Sequence, residues 1–316
     1  MLKYIAKRLL LLILTLFVIL SLCFILIKLL PLPPVSGTEA TIQRVEAIRQ
    51  ARGYYEPLPK QFFLFWKRIL FEFDWGLGEN MYPVQSVVSI IGEKLPATVM
   101  VNLYSLLISI PIGLLLGIFA AIKKNKWQDH VISVVVMLFI SVPSFVYAFL
   151  VQYLFCYKLQ WFPLLAETGK NWFSPSMVWS LMPAILSLAF GTIAGLTRYT
   201  RAELAEVLTS EFMLLARTKG LTRRQATLRH ALRNSMVPIF PMILGEFIGI
   251  LGGSLIIESI FSIPGIGALY VQSINSLDYN FFMAISAFYT SIGLVAGIII
   301  DLSYGFIDPR IRMGVK

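Results

Sequence analysis

The sequence contains few charged residues, few cysteines and few histidines. Charged residues make up 14% of its 316 residues, hydrophobic residues make up 57%, and the mean hydropathy is +0.76. A soluble domain carries about 25% charged residues, so this composition excludes that class and indicates an integral membrane protein. The two cysteines, Cys23 and Cys156, lie in apolar runs without CxxC spacing, and they predict neither a disulfide nor a metal site.

Sequence motifs for catalysis are also missing. His130 and His230 are far apart, and neither belongs to an HExxH motif or stands beside a nucleophile motif, which argues against a membrane protease or transferase. The chain has no GxxxxGK[ST] run to hold the phosphates of a nucleotide. We therefore expect no catalytic residue, no metal ligand and no cofactor in this chain.

Long apolar runs are what the sequence has instead. A bilayer core of about 30 Å is crossed by about 20 helical residues, and backbone groups in hydrocarbon must bond within the segment. The first run is longer than the apolar part of a signal peptide and is followed by no small-residue cleavage site, so we expect it to be retained. The sequence thus predicts an all-α integral membrane protein with six transmembrane helices, at Leu9–Leu30, Ala97–Ile122, Val131–Phe155, Met177–Leu196, Val237–Phe261 and Phe281–Phe306.

The net charge of +10 is distributed unevenly between the two sides of these spans. Seventeen of the 27 basic residues fall on the side of the two termini, whereas seven of the other ten lie in the long first loop beside seven carboxylates. The positive-inside rule then predicts cytoplasmic N- and C-termini in a multi-pass protein of a bacterial plasma membrane. Because the topology accounts for this charge, it does not indicate a nucleic-acid partner.

Three regions follow from this topology. Residues 1–30 form the cytoplasmic N-terminus and first span, residues 31–96 an external loop, and residues 97–316 a core of five helices with a cytoplasmic loop at 197–236. The external loop contains "QFFLFWKRILFEF", too short to span, for which we favour an interfacial helix over a substrate-docking element.

Small residues and prolines mark the spans further. Glycines four residues apart allow close helix packing in a membrane. We expect a packed bundle or dimer from such sets in the second, fourth, fifth and sixth spans, which are Gly113/Gly117, Gly191/Gly195, Gly245/Gly249/Gly253 and Gly293/Gly297. Prolines within spans predict kinks, at Pro111, Pro143 and Pro183.

The cytoplasmic loop contains a strongly basic stretch from Glu211 to Arg233, with six basic residues against one carboxylate. Gly220 predicts the end of one helix, and Thr222 with Gln225 predicts a capping box that starts a second. An apolar stripe of Leu221, Leu228 and Leu232 is expected on that second helix. A solvated positive-inside loop, a surface for anionic lipid and a short helix offered to a soluble partner all remain possible from these features.

Several motifs in this loop and elsewhere resemble one family. "ARTKGL", "RR" and "RHALRNSMVP" resemble the cytoplasmic signature loop of binding-protein-dependent ABC importer permeases of the oligopeptide/dipeptide/nickel group. "EKLPAT", "ESIFSIPGIGALY", "DYN" and "DLSYGFIDPRIR" match at the corresponding positions, and the long external loop resembles the B-type subunit. Of the family's Glu-Ala-Ala and later Gly, only the second Ala and the Gly align, as Ala216 and Gly220, with Leu214 and Leu215 in place of the first two. The family's turn after the first span is replaced by "LPLPP".

The resemblance implies a type I ABC importer permease that couples ATPase motion to alternating access, with oligopeptides or dipeptides as the first candidate cargo and nickel chelates, glutathione or oligosaccharides as alternatives. The implied partners are a homologous second permease, two cytoplasmic ATPase subunits that hold ATP and Mg, an extracytoplasmic substrate-binding protein and membrane lipid. The implied ATPase-coupling residues are Ala216, Arg217, Lys219, Gly220, Leu221, Thr222 and Arg229.

Acidic residues within the spans are costly, about 2.5 to 3.5 kcal/mol at the bilayer centre on insertion scales. Glu246 lies near the middle of the fifth span and is our candidate for the translocation path. Glu258 and Asp301 lie towards span ends, where a structural hydrogen bond is expected. An ion-coupled secondary transporter or channel is the alternative function, although only Glu246 is placed at mid-span and no inverted repeat is evident.

Overall fold

The computed structural model describes residues 2–167, 169 and 171–307. Over these residues the chain is helical, and β-pairing is limited to the isolated bridges Leu77–Ser86 and Gly78–Pro83. The basic residues Arg310, Arg312 and Lys316, which entered the topology prediction, and the end of the "DLSYGFIDPRIR" motif lie outside the described residues.

Thirteen α-helices are described in these ranges. They are α1 (Leu2–Leu29), α2 (Glu39–Ala51), α3 (Leu58–Lys67), α4 (Val87–Ile122), α5 (Trp127–Ser141), α6 (Ser144–Val151), α7 (Pro175–Val207), α8 (Glu211–Thr218), α9 (Arg223–Ala226), α10 (Leu232–Gly249), α11 (Leu255–Ile260), α12 (Ile266–Asn275) and α13 (Tyr279–Ile307). Turns of π-helix extend three of them, at Arg68–Glu72 after α3, Gln152–Lys158 after α6 and Thr227–Ala231 between α9 and α10.

Five helical stretches are long and apolar enough to cross a membrane, and a bent pair brings the number to six. The five are Ala6–Leu29, Val87–Ile122, Pro175–Val207, Arg223–Gly252 and Tyr279–Ser303. The bent pair, Trp127–Ser141 with Ser144–Lys158, turns by 100° at the break. Pro143, predicted to kink this span, lies at that break, since proline cannot donate the hydrogen bond that would continue the helix.

Two contacts hold the bent pair to other parts of its unit. Near its start, Arg201 from the last turns of α7 bonds to Asp129. Near its other end, the Gln152 side chain donates to the carbonyl of Ile260 at 3.0 Å, beyond the end of the fifth span. Five of the six predicted spans are thus continuous helices, and the third corresponds to the bent pair.

The ends of three spans differ from the prediction. The second helix begins at Val87 rather than Ala97, inside the predicted external loop 31–96, because Val87 and Ile90 are buried by protein rather than by lipid. The fourth helix continues past Leu196 to Val207. The fifth span does not reach Phe261: it ends at Gly252, since Gly253 takes a left-handed φ of +59° and α11 starts anew.

The chain forms two compact units. The first runs to Thr98 and adds Leu251–Ser259 and Ile263–Val295. One of its apolar cores joins the start of α4 to α12 and α13 through Val87, Ile266 and Phe281, each fully buried. A second core packs α1 against α13 and the aromatic residues of α3.

The second unit comprises Val99–Ile250, Ile260–Ser262 and the segment from Ala296. Here the predicted glycine packing is confirmed between α4 and α7: a Cβ added to Gly113 would lie 2.8 Å from Leu196 Cβ, and one added to Gly117 would lie 2.5 Å from Thr200 Cβ. In contrast, within the described residues no atom lies within 4 Å of a Cβ added to Gly249, Gly293 or Gly297.

Candidate functional site

The segment Ser210–Thr222, here named the coupling segment, connects the fourth span to the fifth. Its helix α8 begins after Ser210 with Glu211 in the first turn, where a carboxylate interacts favourably with the helix dipole. It ends as predicted at Gly220, whose φ of +87° lies in the left-handed region that favours glycine. The Gly220 N–H donates to the Arg217 carbonyl at 3.0 Å, and this turn redirects the chain into the next helix.

The predicted capping box is present at the start of that helix. The Gln225 N–H donates to Thr222 Oγ1 at 3.3 Å, and the Thr222 N–H donates to Gln225 Oε1 at 3.1 Å. The helix then runs without interruption into the fifth span, from Arg223 to Gly252. The non-helical part of the predicted loop 197–236 is therefore short, because α7 extends into it from one side and the fifth-span helix from the other.

One side of the coupling segment is buried within the chain. Met213 is 4% exposed and Ala216 is 8% exposed, and both belong to an apolar cluster with Leu204, Ala121 and Ala226. Ala216, predicted to allow close approach of an ATPase, packs closely within this chain. The predicted stripe of Leu221, Leu228 and Leu232 is only partly correct, since Leu221 and Leu232 contact the cluster.

Leu228 is instead 55% exposed. The prediction used a regular wheel of 3.6 residues per turn, but the π-helical turn Thr227–Ala231 has a different angular spacing between residues. Ala231 is fully buried in the cluster.

The other side of the coupling segment is exposed and both apolar and basic. Phe212, Leu214 and Leu215 are 38%, 64% and 55% exposed. The basic side chains of Arg217, Lys219 and Arg229 are exposed as well, and none of them forms an ion pair within the part of the chain that the structure describes. An exposed apolar patch with a basic border is typical of a protein-docking surface.

A cavity of about 470 Å³ lies within the second unit. Glu246, the predicted path residue, lines it together with Asn102, Ser105 and Thr192. Glu246 forms no hydrogen bond or ion pair with any described residue. A half-buried carboxylate facing a cavity is available to a ligand or to water.

The polar residues that line the cavity beside Glu246 were missed in the sequence because single polar residues in apolar spans are common. The available signal was the i, i+3 spacing of Asn102 and Ser105, which places both on one face of α4.

Glu258 has a structural role at the "IPGIG" turn of the first unit, as expected. Its carboxylate accepts the N–H of Gly267 at 2.8 Å, the N–H of Ala268 at 3.2 Å and the hydroxyl of Thr98 at 3.0 Å. Burial raises the pKa of the Glu258 carboxyl, and these hydrogen bonds oppose the rise. Asp301, the other carboxylate expected near a span end, lies in α13.

Comparison with known families gives a match to almost all of the chain. The family described as "Binding-protein-dependent transport system inner membrane component" matches residues 113–313, and the corresponding N-terminal family matches residues 1–102. The chain belongs to this family of transport permeases. The permease is thus an inner-membrane component of a binding-protein-dependent importer, as the resemblance predicted, and nothing in these matches supports the ion-coupled alternative.

Relatives match the permease over its full length. It is 37% identical to the dipeptide transport system permease protein DppB of Lactococcus lactis, over 99% of this chain and 100% of the relative. It is 33% identical to DppB of Bacillus subtilis, over 100% of each chain. It is 32% identical to the oligopeptide transport system permease protein OppB of Haemophilus influenzae, over 99% of this chain and 100% of the relative.

Solved structures confirm the fold of the permease. The inward-facing MetNI methionine ABC transporter superposes with a TM-score of 0.51 at 14% identity, covering 72% of this chain and 98% of that one. An amino acid ABC transporter with bound histidines gives a TM-score of 0.50 at 18% identity, covering 69% and 94%. The predicted fold class of an ABC importer permease is therefore confirmed.

Proposed function

We propose that the permease is the B-type membrane subunit of an ATP-driven importer of oligopeptides or dipeptides. The names of its relatives support this cargo, since those of Lactococcus lactis and Bacillus subtilis are dipeptide permeases and that of Haemophilus influenzae is an oligopeptide permease. The complete importer would add a homologous second permease, two cytoplasmic ATPase subunits with their ATP and Mg, and an extracytoplasmic substrate-binding protein. This chain would perform movement rather than catalysis.

The observation that carries the coupling role is that α8 is buried on one side and exposed on the other. Met213 and Ala216 anchor the helix to its own unit, while Leu214 and Leu215 are left exposed beside them. Burying a leucine side chain is worth roughly 1.5–3 kcal/mol, so an ATPase cleft that covered these two would gain substantial binding free energy. Arg217 and Lys219 would meet carboxylates or carbonyl groups at the border of that cleft.

The path of the chain explains how docking could be converted into access. The coupling segment is joined at one end to α7 and at the other, through Gly220 and Thr222, to the continuous helix Arg223–Gly252. That same helix carries Glu246 into the cavity. A push on the coupling segment would therefore move a helix that lines the cavity, because the segment and Glu246 are joined by one continuous helix.

The cavity is of the right size and chemistry for part of a peptide. Ligand pockets occupy roughly 300–1,000 Å³, and the cavity of about 470 Å³ falls in this range. Glu246 could accept a hydrogen bond from a peptide N–H or ammonium group, and Asn102, Ser105 and Thr192 add neutral hydrogen-bonding groups. We therefore assign Glu246 to the translocation path.

The test is reconstitution of the permease with its partner permease, ATPase subunits and binding protein. We expect peptide-stimulated ATP hydrolysis and peptide uptake with the wild type. Leu214→Asp places a charge in the proposed interface and should abolish ATPase co-purification and uptake. Lys124→Asp is the matched control, since it adds a carboxylate at an exposed position of the α4–α5 turn.

Two outcomes would contradict this proposal. Wild-type co-purification and uptake in Leu214→Asp would exclude the exposed face of α8 as the docking surface. A reconstituted wild-type importer that binds its ATPases but transports no peptide would leave the coupling role intact and exclude the peptide cargo.

A further inference from the structure

A second cavity, here named the outer pocket, lies within the first unit and has a volume of about 250 Å³. Its walls come from the last turns of α1, the connection between α2 and α3, the π-helical turn after α3 and the first turns of α13. Phe24 and Phe65, with ring centroids 4.7 Å apart, supply apolar wall. Neither the coupling segment nor the Glu246 cavity includes any of these residues.

The two carboxylates that line the outer pocket are already paired. Glu79 accepts two hydrogen bonds from the buried Arg49, at 2.6 and 2.8 Å. Asp74 accepts one from Arg52 at 2.6 Å. The acidic side chains of the pocket are thus neutralised by arginines that approach them directly.

Two further cations line the outer pocket without a carboxylate partner among the described residues. Lys28 Nζ lies 3.9 Å from the ring centroid of Tyr54, a cation–π contact that leaves its charge uncompensated. Arg68 donates from Nη2 to the neutral carbonyl of Arg52 at 3.0 Å. A largely enclosed site with two uncompensated cations is complementary to an anion, and a phosphate group would accept charge-assisted hydrogen bonds from both.

A third polar group of the outer pocket has an unused hydrogen-bonding atom. Gln61 Nε2 donates to the carbonyls of Tyr54 at 2.8 Å and Glu56 at 2.7 Å, which fixes the orientation of the amide. Its Oε1 is buried and accepts no hydrogen bond within the described residues. A buried acceptor without a donor is costly, so a ligand hydroxyl or N–H at this point would be favourable.

The outer pocket lies at the level of the membrane boundary. Lys28 is in the last turn of the first span, two residues after Leu26, which is 64% exposed, and directly before Leu29, which is 69% exposed. Asn280 is at the start of the sixth span. The pocket therefore stands where the headgroups of the leaflet meet the hydrocarbon.

An exposed apolar ridge on α3 and its π-helical turn supports this position. Phe63 is 66% exposed, Leu70 60%, Phe71 82% and Phe73 80%. Such side chains are unfavourable in water and are typical of a helix lying in a bilayer interface, as predicted for "QFFLFWKRILFEF". The same ridge thus holds the cationic pocket next to lipid.

We propose that the outer pocket binds the headgroup of an anionic glycerophospholipid with a headgroup hydroxyl, such as phosphatidylglycerol. Lys28 and Arg68 bind the phosphate, Gln61 Oε1 accepts the hydroxyl, and the acyl chains follow the exposed leucines of α1. The volume of about 250 Å³ is smaller than the roughly 300 Å³ at which pockets for larger ligands begin, and it suits a headgroup. The bound lipid joins the external segment to the first and sixth spans.

The test measures lipid retention on the full importer complex by native mass spectrometry, with phosphatidylglycerol added and phosphatidylcholine as reference. The pocket variant is Lys28→Gln with Arg68→Gln. The control is Lys60→Gln with Lys67→Gln, which removes the same charge from exposed positions of the same segment. We expect one tightly held phosphatidylglycerol in wild type and control, and about a hundredfold weaker retention in the pocket variant, since it removes two charged hydrogen bonds that are each worth about tenfold.

A milder variant keeps the test decisive if the double variant does not fold. Gln61→Leu should weaken the binding of phosphatidylglycerol but not of phosphatidylmethanol, which keeps the phosphate charge and has no headgroup hydroxyl. Equal retention in pocket and control variants would overturn the proposal. So would retention of added glycerol 3-phosphate without retention of phosphatidylglycerol, which would assign the pocket to a soluble phosphate ester.

Discussion

Arg201 and Asp129 connect the fourth span to the start of the third. Arg201 Nη2 donates to Asp129 Oδ2 at 2.7 Å, and the Asp129 side chain is 1% exposed. The Asn125 N–H donates to the same carboxylate at 2.9 Å, so the α4–α5 turn is held to the end of α7. That end of α7 leads directly into the coupling segment.

Asp129→Asn should destabilise the permease. The change removes the charge from a buried acceptor and leaves Arg201 with a weaker partner, at an expected cost of about 1–3 kcal/mol because the arginine is partly exposed. Thermal unfolding in detergent, followed by size-exclusion chromatography, would show a lower Tm. Glu206→Gln, at an exposed position of α7, is the control and should leave the Tm unchanged. Equal Tm values for the two variants would contradict the role of the ion pair.

Gly220→Val should uncouple ATP hydrolysis from uptake. Valine at a φ of +87° is strained by roughly 1–2 kcal/mol or more, so the turn between α8 and the fifth-span helix would rearrange. No atom of the described residues lies within 4 Å of a Cβ added there, so the effect would come from the backbone and not from a clash. Asparagine tolerates a left-handed φ, so Gly220→Asn should retain most of the transport per ATP hydrolysed. The explanation would be wrong if both variants lost transport equally.

Gly117→Ala should weaken the packing of α4 on α7. The added methyl group would lie 2.5 Å from Thr200 Cβ and 2.8 Å from the Thr197 carbonyl oxygen, and overpacking of this kind costs about 1–3 kcal/mol. Gly249→Ala is the matched variant, because an added Cβ there meets no described atom within 4 Å. Its Tm should stay the same or rise slightly, since alanine favours a helix over glycine. A loss of Tm only in Gly249→Ala would reverse this interpretation.

Glu258 should give the first unit a pH-dependent stability. Because burial raises its pKa in the folded state, the folded protein binds a proton more tightly than the unfolded chain does. The stabilising contribution is complete below the pKa of the unfolded chain and is lost as the pH rises through the higher folded pKa. Unfolding measured from acid to neutral pH should show this decline in the wild type, and it should be absent in Glu258→Gln. Parallel curves for the two proteins would exclude Glu258 as the titrating group.

Features that depend on neighbouring residues or on one long apolar run could be predicted from the sequence. The spans followed from the length of apolar segments, and Gly220 and the Thr222–Gln225 capping box followed from rules that involve neighbouring residues only. Contacts between distant parts of the chain were not readable. The second helix extends outward to Val87 because Phe281 and Ile266 cover this residue. The local sequence does not reveal this burial, since Glu93 and Lys94 interrupt the apolar run.

In the candidate site, too, local features could be predicted and contacts between distant residues could not. Glu246 was identifiable from its cost in a membrane, but the neighbours that share its cavity depend on how α4, α7 and α10 meet. The burial of Ala216 likewise depends on packing against Leu204 from another helix. For the outer pocket, the sequence predicted only the interfacial helix, since its cations come from α1 and from the turn after α3.

The π-helical turn Thr227–Ala231 lies between the coupling segment and Glu246 on one continuous helix. Such a turn is equivalent to one residue inserted into an α-helix. Deleting a single residue there would restore regular winding and leave the parts of the helix before and after it in nearly the same angular phase, because a π-helical turn uses about one more residue than an α-helical turn for the same rotation. One residue of chain length can therefore be gained or lost at this turn with little rotation of the surface proposed to face an ATPase relative to Glu246, so homologous permeases with and without the wide turn should function as chimaeras when they are joined across it.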